Sequence, residues 1–163
     1  MKSPILRALA LILSILALTL SFAACDGGSA DGYVFRANGV DIVIGAPADD
    51  IIKALGTPSK TNSSASCGGF DGLDYDYTYK GFRVSTTPAA NGQIIAKVVL
   101  TDDSVKTPEG LYIGMTRADA EAAMAGKGTP DSVGDNLVYV KGNVKLQVVF
   151  RGDSISGISY VAQ

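Results

Sequence analysis

The segment "IGAPADDIIKALGTP", Ile44 to Pro58, comes back as "IGMTRADAEAAMAGKGTP", Ile113 to Pro130. Ile44-Gly45 aligns with Ile113-Gly114, Asp50 with Asp119 and Leu55 with Met124, all at an offset of 69. Gly56-Thr57-Pro58 aligns with Gly128-Thr129-Pro130 after a three-residue insertion. Internal similarity at such spacing means two copies of one supersecondary unit. The 163 residues suffice for one domain of ordinary size or two very small ones.

Each copy reads as a short strand ending at Ile-Gly, a short helix, a loop and then strands. In the first copy Pro47 suits the opening helical turn, where its missing N–H is not needed. Asp49 and Asp50 favour the positive end of the helix, Ile51, Ile52 and Leu55 form a buried stripe, and Gly56 can end it. In the second copy Thr116 and Asp119 form a variant capping box. The strands alternate: Tyr75, Tyr77 and Tyr79 lie on one face, and Asp74, Asp76, Thr78 and Lys80 on the other. Val144, Leu146, Val148 and Phe150 likewise oppose Lys145 and Gln147. Asn91-Gly92 marks a turn, and Asn38-Gly39 closes a hairpin within "YVFRANGVDIVI". The expected fold class is α+β: two tandem units, each with short helices packed on one face of an antiparallel sheet, the other face meeting water. The short link "DDSVKTPEG", Asp102 to Gly110, puts the two sheets edge to edge or nearly so.

The N-terminus has another character. Lys2 and Arg7 are the only charges before Asp26, and "ALALILSILALTL", Ala8 to Leu20, follows them. A basic start, a short apolar run and small residues at its end are the layout of an export signal. Extended to Ala24, the run makes about 25 Å of helix, short of the roughly 30 Å bilayer core. "FAAC", Phe22 to Cys25, resembles the lipobox of bacterial lipoproteins, usually Leu-Ala-Gly/Ala-Cys, with Phe22 in place of Leu. The resemblance implies cleavage between Ala24 and Cys25 and a diacylglyceryl group on the Cys25 sulfur. One acyl chain holds a protein to a bilayer only marginally, and two hold it stably. "DGGSADG" would then be a flexible spacer. "SFA", Ser21 to Ala23, leaves open an ordinary secretory signal with Cys25 as a plain thiol. The expected organisation is a signal peptide over residues 1–24, a tether over 25–32, a first repeat over 33–103 and a second over 104–163.

Charge and composition exclude whole classes. The chain carries 14 basic and 16 acidic residues. Removing residues 1–24 takes Lys2 and Arg7 and no acid, leaving 12 against 16, a net charge of −4. Such a surface has no electrostatic reason to seek nucleic acid. There is no His, which removes the commonest general base and metal ligand, and only Cys25 and Cys67 carry thiols. No metal and no cofactor is expected.

Beyond the signal, "IG-x-x-x-x-D-x-x-x-x-L-G-x-P" followed by "Y-x-Y" strands resembles the SmpA/OmlA family of small envelope lipoproteins. It is also similar to the β-lactamase-inhibitor-protein fold, which carries two such units in tandem. The similarity covers roughly residues 40 to 162. Ser66-Cys67, Phe70, Gly72, Tyr77, Tyr79, Gly81 and Phe82 further resemble a pattern in uncharacterised tandem lipoproteins of gut Firmicutes. These resemblances imply a protein-binding scaffold without catalysis.

Several residues invite sharper chemistry. Cys67, in the loop "SSASCGG", reads as a reactive thiol or as a small residue tucked under the loop, and no His exists to activate it. Asp71, Asp74 and Asp76 suggest calcium, but their spacing fits no EF-hand and a solvated patch is the plainer reading. The three tyrosines pack under the helix or form a stacking platform, and the charged face behind them favours the core. "RGD", Arg151 to Asp153, reads as a turn between two alternating strands rather than an integrin motif.

The expected function is therefore a lipid-anchored, non-catalytic scaffold on the extracytoplasmic face of the cell membrane. Its partners are membrane lipid, through acylated Cys25, and an unidentified envelope or secreted protein. The candidate binding face is Asp74, Asp76, Thr78, Arg83, Lys145 and Gln147. The alternative is a solute- or carbohydrate-binding lipoprotein, which the absence of Trp and the sparse aromatics weaken. An enzyme using Cys67 is the third reading.

Overall fold

Asn38 and Gly39 both adopt positive φ, 53° and 78°, the pair a tight two-residue hairpin turn requires. They join β1 (Val34–Ala37) to β2 (Val40–Val43), with Ala37 opposite Val40. The structure is a computed structural model that describes residues 32–130 and 134–163. The expected export signal, the expected cleavage position at Ala24 and Cys25, and nearly all of the expected tether lie outside the described residues. After β2 come α1 (Ala48–Leu55), β3 (Lys60–Ala65), β4 (Leu73–Tyr79), β5 (Phe82–Ala89) and β6 (Gly92–Leu100). Then follow α2 (Arg117–Met124), β7 (Thr129–Pro130), β8 (Leu137–Lys141), β9 (Val144–Arg151) and β10 (Ser154–Ala162). Among the described residues no helix is long and apolar enough to cross a membrane.

The α+β expectation, two tandem units each with helices on its own sheet, is overturned: the protein is mostly β. Strands β3 to β10 form one antiparallel sheet in the order β3-β4-β5-β6-β10-β9-β8-β7, and β1-β2 form a second, two-stranded one. The two sheets expected side by side are continuous because β6 pairs with β10, Val98 lying opposite Tyr160. The helices are too short to form a layer. Eight residues make a little over two turns, about 12 Å. Each helix fully buries only two residues, Ala48 and Leu55 in α1, and Ala120 and Met124 in α2.

Much of the core's cover comes instead from the hairpin. Phe35 and Ile42 are fully buried. The Phe35 ring lies 5.4 Å from that of Phe82 on β5 and 5.6 Å from that of Tyr160 on β10. Hairpin, helices and the inner face of the large sheet, with Val84, Ile95, Val98, Leu146, Val148 and Ile158, make one apolar cluster.

The Ile-Gly positions do the same work in both halves. Gly45 N–H donates to Ile95 O (2.8 Å), and Ile95 N–H donates to Ala46 O (2.9 Å). Gly114 N–H donates to Ile155 O (2.8 Å), and Ile155 N–H donates to Met115 O (2.9 Å). Both glycines sit at positive φ, 84° and 93°, where a side chain would strain the backbone. Each clips the chain onto the last strand of its half, β6 or β10. At α2 the Thr116 hydroxyl accepts from Asp119 N–H at 3.2 Å, the cap its sequence suggested.

Candidate functional site

Pairing registers decide which side chains share a face, because residues opposite each other in a sheet point the same way. Lys60 stands opposite Thr78, Thr78 opposite Arg83, Arg83 opposite Val99, Val99 opposite Ser159 and Ser159 opposite Gln147. A parallel row runs through Asn62, Asp76, Ser85 and Lys97, then Val161 and Lys145. Asp74 lies two residues from Asp76 and so joins them. All six residues of the expected binding face, Asp74, Asp76, Thr78, Arg83, Lys145 and Gln147, thus lie on one face of one sheet, opposite the core.

Side-chain bonds tie this face across the strands. Thr87 Oγ1–H donates to Asp74 Oδ1 at 2.8 Å, and Ser85 Oγ–H donates to Asp76 Oδ1. Arg83 Nε lies 3.7 Å from the same Asp76 oxygen, with both side chains well exposed, a pair worth little in stability. Ser159 Oγ–H donates to Gln147 Oε1 at 3.2 Å. Between β3 and β6 the face sinks into a depression of about 580 Å³ lined by Asn62, Ser64, Asp74, Asp76, Ser85 and Lys97, among others. Ala96 also lines it, where the β5–β6 register shifts: Ser85 faces Lys97 but Thr86 faces Ile95. Such a bulge leaves one residue unpaired and bends the strand. Farther along, Val99, Val161 and the exposed Val149 interrupt the polar surface.

Sequence reasoning missed Asn62, Ser64, Ser85, Thr87 and Lys97. The signal for Lys97 was its single charge in "QIIAKVVL", but the bulge at Ala96 breaks the alternation that would have placed it.

Other expectations resolve individually. The tyrosines do not all pack inside. Tyr79 is buried, its ring stacked 5.1 Å from that of Phe82, whereas Tyr75 and Tyr77 are half-buried and stack on each other at 6.0 Å. The reason lies next door: on their face β3 offers only Thr61, Ser63 and Ala65, and α1 neighbours β2 and β6 instead. Cys67 is exposed, not tucked beneath its loop. Asp71 lies in the turn before β4, and hydroxyls occupy one oxygen each of Asp74 and Asp76. Among the described residues no group of three His, Cys, Asp or Glu side chains could hold a metal ion. Gly152-Asp153 of "RGD" is the turn between β9 and β10, Arg151 standing opposite Ser154.

A second depression, about 520 Å³, includes Tyr33, Glu109, Lys127 and Lys141 in its wall. Tyr33 O–H donates to Lys127 O at 2.8 Å, and the fully buried Tyr160 O–H donates to the Glu109 carboxylate. Burial first and the Glu109 charge second push Tyr33 up to about 12, and the same two causes raise Tyr160. An unfolded chain gives up these protons near the ordinary tyrosine value of about 10. The folded state therefore keeps its full advantage below about pH 10 and loses stability as pH climbs toward about 12. Tyr33→Phe makes the fall in denaturant midpoint over that window shallower; a fall as steep as in the original protein contradicts this account.

No family model, no curated protein and no solved structure matches the chain.

Proposed function

We propose that this chain is an exported lipoprotein, held to the extracytoplasmic face of the cell membrane by an acylated Cys25, and that its outer sheet face binds another protein without catalysis. The observation that carries the binding half is the shared face. Asp74 and Asp76 stand among Arg83, Lys97 and Lys145, with hydroxyls, amides and three valines between them. A face of this kind, polar with apolar islands and charges of both signs, offers a protein partner a pattern to which its own charges can be complementary. The charge pattern discriminates between partners more than it adds affinity. The anchoring half rests on the apolar run and "FAAC". Cys25 precedes Gly32 by seven residues, at most about 25 Å of extended chain, so the sheet would work close to the bilayer.

The test is photocrosslinking on intact cells. A photoreactive amino acid in place of Lys97 or Lys145 gives a discrete protein adduct, and the same group in place of Glu121 on α2 gives none. Equal labelling from all three positions, or none from the sheet, removes the proposal.

A further inference from the structure

The two edges of the large sheet are built differently. One ends in β7, described over Thr129–Pro130, which carries a proline that has no N–H to offer. The other ends in β3, six residues long and exposed throughout. Its register against β4 runs without a bulge from Lys60 opposite Thr78 to Ala65 opposite Leu73. It contains no proline, and its one charge, Lys60, stands at its end. Proteins ordinarily guard such an edge with prolines, bulges or central charges. Among the described residues one edge is guarded and the other is open.

We infer that the free edge of β3 takes an extended segment of a partner protein as an added strand, and that alternate residues of that segment are apolar and basic. The inference rests on the protein-binding reading above and names what that surface receives. Ser66 N–H donates to Gly72 O at 3.0 Å, extending the ladder by one pair. In an antiparallel pair every second residue faces the neighbour. Ser66, Ser64, Asn62 and Lys60 therefore face β4, and Thr61, Ser63 and Ala65 turn their N–H and C=O groups outward.

The side chains set the chemistry. On the inner face Thr61, Ser63 and Ala65 are small and leave Leu73, Tyr75 and Tyr77 of β4 partly bare; Leu73 is 42% exposed. Phe70, 50% exposed, stands in the loop between the two strands. Apolar residues of an added strand reach over the small row onto this stripe. On the outer face Asn62 and Ser64 are equally short, with Asp76 and Asp74 behind them. Among the described residues no lysine or arginine lies within 4.0 Å of Asp74. A long basic side chain on the added strand meets that carboxylate, whose charge the Thr87 hydroxyl bonded to it does not neutralise. Backbone pairing gives affinity in this mode of recognition, and alternate side chains give specificity.

The probe is an end-blocked peptide as long as β3, alternating valine and lysine, with a valine–glutamate peptide as control. The readouts are amide hydrogen exchange and the dissociation constant. The lysine peptide slows exchange at Thr61, Ser63 and Ala65 and leaves the β7 edge unchanged; the glutamate peptide does neither. Ser63→Pro removes an outward N–H and no bond to β4, and weakens binding about tenfold, as loss of one to two backbone hydrogen bonds requires. Methylating the peptide's own N–H groups on its β3-facing edge abolishes binding with the protein unaltered. Asp74→Asn erases the preference for lysine over glutamate. Protection that spares β3, or a Ser63→Pro protein that binds as before, overturns the inference. So does a doubled mass without peptide that Ser63→Pro abolishes, since the edge would then belong to a second copy. If the peptide fails while adducts from Lys97 and Lys145 persist, the added strand is wrong and the binding face stands. If both fail, the protein-binding reading falls as well.

Discussion

Phe35→Ala lowers the free energy of unfolding by about 3–5 kcal/mol, a large part of the roughly 5–15 kcal/mol that holds a domain of this size together. Phe35 has no exposed surface, and its ring meets Phe82 and Tyr160 at 5.4 and 5.6 Å. Those two residues lie on β5 and β10, from opposite halves of the sheet. The ring therefore anchors the β1–β2 hairpin over the seam where the halves meet. Within the two four-residue strands Ile42 is the one other fully buried large side chain, although the flanking Tyr33 and Gly45 also bond to the body. Truncating Phe35 removes apolar burial and leaves a cavity that a β-sheet floor cannot close. Guanidinium unfolding measures the loss, and amide exchange locates it, with protection falling first in Val34–Ala37 and Val40–Val43. Phe35→Leu, which keeps most of the volume, costs clearly less. A loss under about 1 kcal/mol for the alanine variant contradicts the role given to the hairpin.

On the proposed anchor, Cys25→Ser is expected to abolish lipid modification completely. The variant loses the mass of the lipid and the cleavage before residue 25, and so keeps the apolar run of residues 8–24. The effect is large because the proposed attachment is all-or-none: the thioether cannot form without the Cys25 sulfur, and each buried methylene it would carry contributes about 0.8 kcal/mol. Intact mass of the original protein and of the variant is the measurement. An unmodified Cys25 in the original protein, with processing unchanged in the variant, rejects the anchor and leaves the alternative of an ordinary secretory signal.

The sequence reveals local pattern and hides long-range pairing. Asn38-Gly39 announces its hairpin because only a few residue types accept two consecutive positive φ angles. Alternation in "LDYDYTYKGFRVST" and "VKLQVVF" assigns Asp74, Asp76, Thr78, Arg83, Lys145 and Gln147 to a face, since a strand's side chains alternate whatever lies beside it. Nothing local says that Val98 will lie opposite Tyr160, the pairing that turns two expected sheets into one. The helices looked like a layer because Ile51, Ile52 and Leu55 form a stripe. Length decided against it, and the hairpin that seemed a preface became much of the cover. Tyr75 misled for a similar reason: its parity was right, but its exposure depended on the small residues of β3. The contacts joining Glu109 to Tyr160 and Lys127 to Tyr33 span 51 and 94 positions, with no signature at either end.

The central place of β10 governs when this protein can fold. The last strand in sequence is inserted between β6 and β9, and until it arrives β6 has an unsatisfied border and the Phe35 ring lacks one of its two walls. A growing chain is therefore committed late, since the earlier strands cannot close around a missing middle. On the export proposed above, that delay would keep the domain unfolded in a translocation channel until β10 had crossed.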